Sequence, residues 1–249
     1  MAVLRQSPDS IEFIRPFFGS DEYNSGRVNY CLWIADARLK SASQMPLIGE
    51  RIESCRKTRL GFTDPNNVAL AKKPHQMREF NAARKRTLIV PISTSEKRKY
   101  IPCGLLPPNA IVSSQAFSIF DQENWVLALL LSKMHFVWVA TICGKFKLDY
   151  RYSNDLGWNT FPLPSLSQTN KIELSQRASE ILLIRESLFP ATIGELYDDE
   201  NMPKALREAH ERNDETLERV YIGRRFKNDT ERLEKLFEMY TKMTAKDSE

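Results

Sequence analysis

The stretch ENWVLALLLSKMHFVWVATIC, Glu123–Cys143, constrains the fold more than any other segment. It is the most apolar part of the chain, yet Lys133 and His135 interrupt it. No window offers the roughly 18 uninterrupted apolar residues that a membrane span needs, so the stretch reads as a buried helix around which the rest must pack. A chain of 249 residues, 42% hydrophobic and 27% charged, can surround such a helix with one large domain or two ordinary ones. The opening MAVLRQSPDSIEF has no apolar segment of the signal-peptide kind. Cys31, Cys55, Cys103 and Cys143 lie far apart, and His75, His135 and His210 share no ligand spacing with them. Zinc is therefore not expected, and reduced thiols in a cytoplasm are.

Around that helix the pattern is mixed, which predicts an α+β protein. VNYCLWI (28–34) is apolar on both faces and reads as a buried strand. TLIVPI (87–92) and AIVSSQAFSIF (110–120) read as strands from their β-branched and aromatic content. ADARLKSASQMPLIGERIESCRKTRL reads as one helix, or as two split at Pro46, and FTDPNNVALAKKPHQ as a loop. Pro162 and Pro164 mark a boundary, after which the periodicity is helical. In KIELSQRASEILLIRESL, Asn170 with Glu173 resembles a capping box, and Phe189-Pro190 stops the helix. A second helix opens at Pro203 and carries Leu206, His210, Asn213, Leu217 and Val220 at heptad spacing. A third aligns Leu233, Leu236, Phe237 and Tyr240. The predicted division is residues 1–165 as a mixed domain and residues 166–249 as a small helical domain.

Charge divides at the same place. Residues 1–165 hold 22 Lys and Arg against 14 Asp and Glu, whereas residues 166–249 hold 14 against 18. A basic half suits a polyanion, because each phosphate contact releases condensed counterions. The bland alternative is a solvated charged face. Within residues 72–99, Lys72, Lys73, Arg78, Arg84, Lys85, Arg86, Lys97, Arg98 and Lys99 are opposed only by Glu79 and Glu96. The turn STSEKRKY puts Ser95, Glu96, Lys97, Arg98, Lys99 and Tyr100 together. Lys and Arg can meet phosphate, Arg can fork onto guanine, and Glu can accept from cytosine. KFKLDYRYSNDLGWNTFPLP (145–164) interleaves Lys145, Lys147 and Arg151 with Phe146, Tyr150, Tyr152, Trp158 and Phe161. Asn154 and Asn159 offer amides suited to adenine, and the aromatics could stack on an extruded base. Aromatics of this kind are more often core, so Trp158 and Phe161 are expected to be at least partly buried.

Catalytic constellations are missing. There is no GxGxxG, P-loop, HExxH or GxSxG in the chain. Asp149 and Asp155, six residues apart across a loop, are weak evidence for acid–base chemistry and fit turn roles better.

The order of segments resolves these alternatives. SIEFIRPFFGSDEYNSGRVNYCLWI, VPISTSEKRKYIPCGLL, LLLSKMHFVWVATICGKFKLDYRYSNDLGWNTFPLP, IGELYDDENMPKALREAHERNDETLERVY and DTERLEKLFEMYTKM resemble, in this order, the C-terminal part of the MmeI-like (type IIL) DNA methyltransferases. The likeness runs from about residue 7 to residue 243, with DYRYSN, FPLP and LYD…MP…LREAH as its most specific elements. Two departures are mild: Asn159, Thr160, Phe161, Pro162, Leu163, Pro164 stand where the family usually has Asn-Asn-Phe-Pro-Trp-Pro, and Asp199 stands where proline is frequent.

The resemblance implies a target recognition domain over residues 1–165 followed by a helical tail, with no catalyst, because the family's Asn-Pro-Pro-aromatic motif is absent here. It implies double-stranded DNA and the parent's methyltransferase domain as partners, and transfer of a methyl group to adenine N6 by that parent. S-adenosylmethionine is the parent's cofactor, none being expected in this chain. It also implies a bacterial or archaeal cytoplasm, with attachment to the nucleoid through DNA, and base choice by Ser95–Tyr100. The candidate DNA-binding residues are thus Lys72, Lys73, Ser95, Glu96, Lys97, Arg98, Lys99, Tyr100, Lys145, Lys147, Arg151, Tyr152 and Asn154. The alternative is a docking module whose helical tail, through the Leu206–Val220 stripe, seats on the methyltransferase part and binds DNA only with it.

Overall fold

A computed structural model describes residues 8–246. In chain order the elements are β1 (Ile14–Phe18), α1 (Ser20–Ser25), β2 (Asn29–Leu32), α2 (Leu39–Ser43), α3 (Pro46–Leu60), α4 (Pro65–Ala69), β3 (Thr87–Pro91), β4 (Ser93–Thr94), β5 (Gly104–Leu106), β6 (Ile111–Val112), β7 (Ala116–Phe120), α5 (Asn124–Leu130), α6 (Lys133–Ile142), β8 (Lys145–Phe146), β9 (Asp149–Arg151), α7 (Gln168–Ser187), α8 (Ile193–Leu196), α9 (Lys204–Ile222) and α10 (Asp229–Lys246). The mixture is the expected α+β. It forms two compact units: one of the described residues to Phe17, Val28–Ala83 and Asn109–Ile111, the other of Phe18–Arg27, Arg84–Pro108 and everything from Val112 onward.

The first unit has its own small core of Phe13, Ile34, Ala42, Ile48 and Ile52. Pro46 begins α3, where a missing N–H costs nothing, so the predicted break at that residue is real. Arg59 in the last turn of α3 donates to the carbonyls of Leu70 (2.9 Å), Lys73 (2.9 Å) and Gln76 (2.7 Å), fixing the following segment. That segment is not the plain loop expected. Asp64 caps α4 by accepting from the Asn66 N–H at 2.9 Å, and Pro65 supplies the first-turn geometry. The buried strand expected over 28–34 is also different. Among the described residues β2 lies at a sheet edge and pairs only with β1, with Val28 and Tyr30 45% and 58% exposed.

In the second unit β3 is the centre of an antiparallel sheet ordered β5-β3-β7, buried at every residue. The apolar stretch 123–143 is two helices rather than one. Ser132 accepts from the His135 N–H at 3.1 Å, caps α6, and so ends α5, which meets α6 at a 53° bend. Among the described residues no single helix is long and apolar enough to cross a membrane. The bent pair passes only by composition, and its residues are largely buried in the core.

The helices after Pro164 pack on this same core. Leu174, Ala178, Ile181, Leu206, Leu217 and Leu236 join Leu127, Leu130, Met134 and Trp138 in one cluster. The α7 cap sits three residues earlier than predicted: Ser167 accepts from the Asn170 N–H (3.1 Å), and Asn170 Oδ1 accepts from the Ser167 N–H (3.1 Å). Pro203 stands at the α9 N-cap, one position before the first turn, and Gly223 closes that helix at φ 77°, a left-handed value that favours glycine. The departure Thr160 is accommodated by accepting from Trp138 Nε1 at 3.2 Å.

Burial of polar groups makes this core pH-sensitive. His135, expected in the core, is fully buried with Nε2 3.1 Å from the Tyr152 hydroxyl, and burial pushes its pKa down to about 3. His210 lies between Tyr197 Oη (2.6 Å) and the Leu131 carbonyl (3.0 Å). Burial, helped by Arg185, lowers its pKa to about 3 as well. The unfolded chain binds the protons that these rings refuse. Each histidine therefore removes stability as pH falls from its unfolded value of 6.5 towards 3, by ~1.4 kcal/mol per pH unit. Asp214 acts in the opposite sense. Burial raises its pKa to about 7, so between pH 7 and 4 the folded state binds the extra proton and gains stability as pH falls. The expected net loss below pH 6.5 is about 1 kcal/mol per unit, steepening to about 3 in Asp214→Asn. Urea unfolding of both chains at pH 6.5 and 5.0 checks this.

Candidate nucleic-acid interface

Two segments distant in sequence meet in the second unit through a small sheet ordered β4-β9-β8. Ser93 pairs with Arg151 and Thr94 with Tyr150, which sets the STSEKRKY turn beside the KFKLDYR hairpin. On the hairpin itself, Lys145 pairs with Tyr150 and Phe146 with Asp149. Cross-strand partners share a face. Thr94, Lys145 and Tyr150 thus lie on one face, and Ser93, Phe146, Asp149 and Arg151 on the other. Tyr150 packs inward, edge-on to Phe136 at 5.7 Å, while Phe146, Asp149 and Arg151 are exposed.

The turn is built by its own polar groups. Arg98 N–H donates to the Ser95 carbonyl (3.1 Å), and Lys97 N–H to Ser95 Oγ (3.3 Å). Glu96 receives the Lys145 ammonium at 3.4 Å, and that ammonium also sits 4.6 Å over the Tyr150 ring. Arg98 is half-buried; desolvation lowers its pKa, while the Asp149 and Asp198 carboxylates oppose that shift. Lys99 pairs with Asp199 at 3.1 Å, so the departure at Asp199 holds a neighbouring cation. Among the described residues, Lys97, Lys147 and Arg151 make no ion pair. Ser95 is half-buried, and Asn154 is exposed at the start of a wide helical turn, Asn154–Trp158.

Two candidates are core residues instead. Tyr100 is 6% exposed, stacks on His210 at 4.1 Å and donates to Asp214 Oδ2 at 2.8 Å. Tyr152 is 4% exposed against His135 and Phe117. Burial leaves neither a surface for DNA; they anchor the two ends of the interface. The alternation in DYRY, with Asp149 and Arg151 outward and Tyr150 and Tyr152 inward, was the available signal for Tyr152. Phe161 is buried and Trp158 half-buried, as expected. Lys72 and Lys73 belong to the first unit, where both are exposed and Lys73 pairs with Asp36 at 2.7 Å. Further along, Arg84, Lys85 and Arg86 direct three successive backbone N–H groups at the Asp121 carboxylate (3.0, 2.6 and 3.1 Å), which fixes the entry to β3. Sequence reasoning missed Asp199 as the group that pairs with Lys99.

The helical stripe motivating a docking role is turned inward. Leu206, His210, Asn213 and Leu217 are fully buried, with Asn213 Nδ2 donating to the Ala128 carbonyl at 2.9 Å.

Both parts of the chain match known proteins. Residues 1–165 match the family description "MmeI, target recognition domain", and residues 166–246 match "MmeI, C-terminal domain". The chain belongs to the MmeI family. It is 38% identical over 243 residues to DNA methyltransferase A of Bacillus subtilis (strain 168), covering 98% of this chain and 28% of that protein. It superposes with TM-score 0.92 and 30% identity on the type IIL restriction-modification enzyme MmeI solved in complex with DNA, covering 98% of this chain and 33% of that one. The chain therefore spans about a third or less of the MmeI-family proteins it matches. In this family member the boundary between the two matched regions is not a break in packing, since the helices beyond residue 166 complete the core that carries the interface.

Proposed function

We propose that this chain reads a specific double-stranded DNA sequence on behalf of an S-adenosylmethionine-dependent adenine-N6 DNA methyltransferase whose catalytic apparatus lies in other parts of the parent protein. The observation that carries the reading is the β4-β9-β8 sheet. It joins a turn able to address base edges (Glu96, Arg98) to a hairpin lined with exposed cations (Lys145, Lys147, Arg151) on one rigid core. Readout needs side chains preset before DNA arrives, and the Arg98 N–H on the Ser95 carbonyl (3.1 Å), with Lys145 on Glu96 (3.4 Å), supplies that presetting. The MmeI structure is described as a complex with DNA, and the Bacillus relative as a DNA methyltransferase, which supports the partner and the parent.

The cleft of the first unit does not suit S-adenosylmethionine. The cleft of the first unit, about 650 Å³, is lined by apolar side chains, thiols and bases such as Ile14, Leu32, Cys31, Cys55 and Arg51. It has no carboxylate among its lining residues to take a ribose hydroxyl pair.

The test is retention of a randomised duplex pool on this chain at two salt concentrations, followed by sequencing. The expected result is an enriched short motif with binding that weakens steeply as salt rises. Arg98→Ala is expected to lose discrimination at one position of that motif, by about 1–3 kcal/mol, with the other positions retained. Salt-sensitive binding with no enrichment would show that readout needs the rest of the parent. No binding at either salt would overturn the proposal.

A further inference from the structure

The tip of the β8–β9 hairpin breaks two local rules at once. Its two-residue turn, Lys147-Leu148, occupies the place where Asn-Gly is favoured, and Lys147 adopts φ 57°, a left-handed value disfavoured for a side chain such as lysine. The same tip holds two large apolar side chains in water: Phe146 is 62% exposed and Leu148 66%. Neither contributes to the core, where the hairpin is represented by Tyr150 and Tyr152. A strained turn presenting apolar groups gains nothing for folding, and such violations mark functional positions. The surroundings identify the occupant. Lys145, Lys147 and Arg151 stand exposed on the hairpin, where Asp149 is the one acidic residue, and the nearby Glu96 is paired with Lys145. A pair of apolar groups inside a cationic rim matches a duplex whose phosphates flank stacked bases.

We infer that Phe146 and Leu148 form an apolar wedge that enters the base stack of duplex DNA while Lys145, Lys147 and Arg151 hold the flanking phosphates. The inference rests on the DNA-reading function proposed above and adds deformation of the duplex to it. Side chains that part a base step must overcome the stacking of that step. A duplex in which a step is already parted should therefore bind more tightly.

The experiment compares this chain on a short fully paired duplex and on the same duplex carrying a central two-nucleotide bulge. The expected preference for the bulge is about 10-fold or more. Phe146→Ser with Leu148→Ser, both at exposed positions, should reduce that preference to within about 2-fold and leave the salt dependence unchanged, because no phosphate contact is lost. Lys147→Ala should weaken both duplexes alike and flatten the salt dependence by about 1 in log–log slope. Equal binding of the two duplexes by the unsubstituted chain would overturn the wedge while leaving the DNA-reading function standing. A bulge preference that survives the double substitution would do the same and assign the tip to another partner. Failure to bind either duplex would overturn both.

Discussion

Replacing Lys97, Lys145, Lys147 and Arg151 together with alanine is expected to lower the log–log salt dependence of duplex binding by about 3–4, and to weaken binding at 50 mM salt by at least ~100-fold. The four cations lie on one small sheet and its adjoining turn, so a single duplex can meet them together. Each phosphate neutralised releases close to one counterion, which makes the slope a count of contacts rather than a measure of fold. All four side chains are exposed, so the substituted chain should unfold at the same urea concentration as the original. Titration of labelled duplex at several salt concentrations gives the slope. An unchanged slope in a folded variant would remove this surface from the interface.

The second large effect is on stability. Glu218 is completely buried on α9, and Arg232 on α10 faces it with Nε 2.8 Å from Oε1. The other carboxylate oxygen accepts from the Phe226 N–H at 2.9 Å, so Glu218 also holds the connection between the two helices. Removing one member of such a pair leaves the other charge in a poorly solvated place. Glu218→Ala is accordingly expected to cost about 3–5 kcal/mol, a large part of the stability of an ordinary domain. Glu218→Gln, which keeps an acceptor for Phe226, should cost less. Replacing both partners by apolar residues, Glu218→Leu with Arg232→Met, should recover most of the loss. Urea midpoints at unchanged m-value measure all three variants. A loss below about 1 kcal/mol in Glu218→Ala would show that water reaches the pair.

Both experiments depend on the helical C-terminal region serving as the floor of the interface. Tyr100, at the end of the reading turn, is held by His210 and Asp214 of α9, and Lys99 by Asp199. The polar residues at heptad spacing in α9 suggested a seam for a partner, yet they satisfy carbonyls and hydroxyls inside this chain. A buried polar group in a helix looks the same in sequence whether its partner is in the same chain or in another.

Local residue order was enough to read the helical periods after Pro164, a strand at 87–92 that the structure holds at 87–91, the burial of 123–143 and the family. It also marked both basic segments. The pairing of β4 with β9, which brings those segments together, emerges from packing alone, since a two-residue strand has almost no local signature. Packing likewise put Tyr100 and Tyr152 in the core and left Phe146 and Leu148 outside it. Composition records that a side chain is aromatic. Which face of a strand it occupies depends on register, and register is fixed by what the strand pairs with.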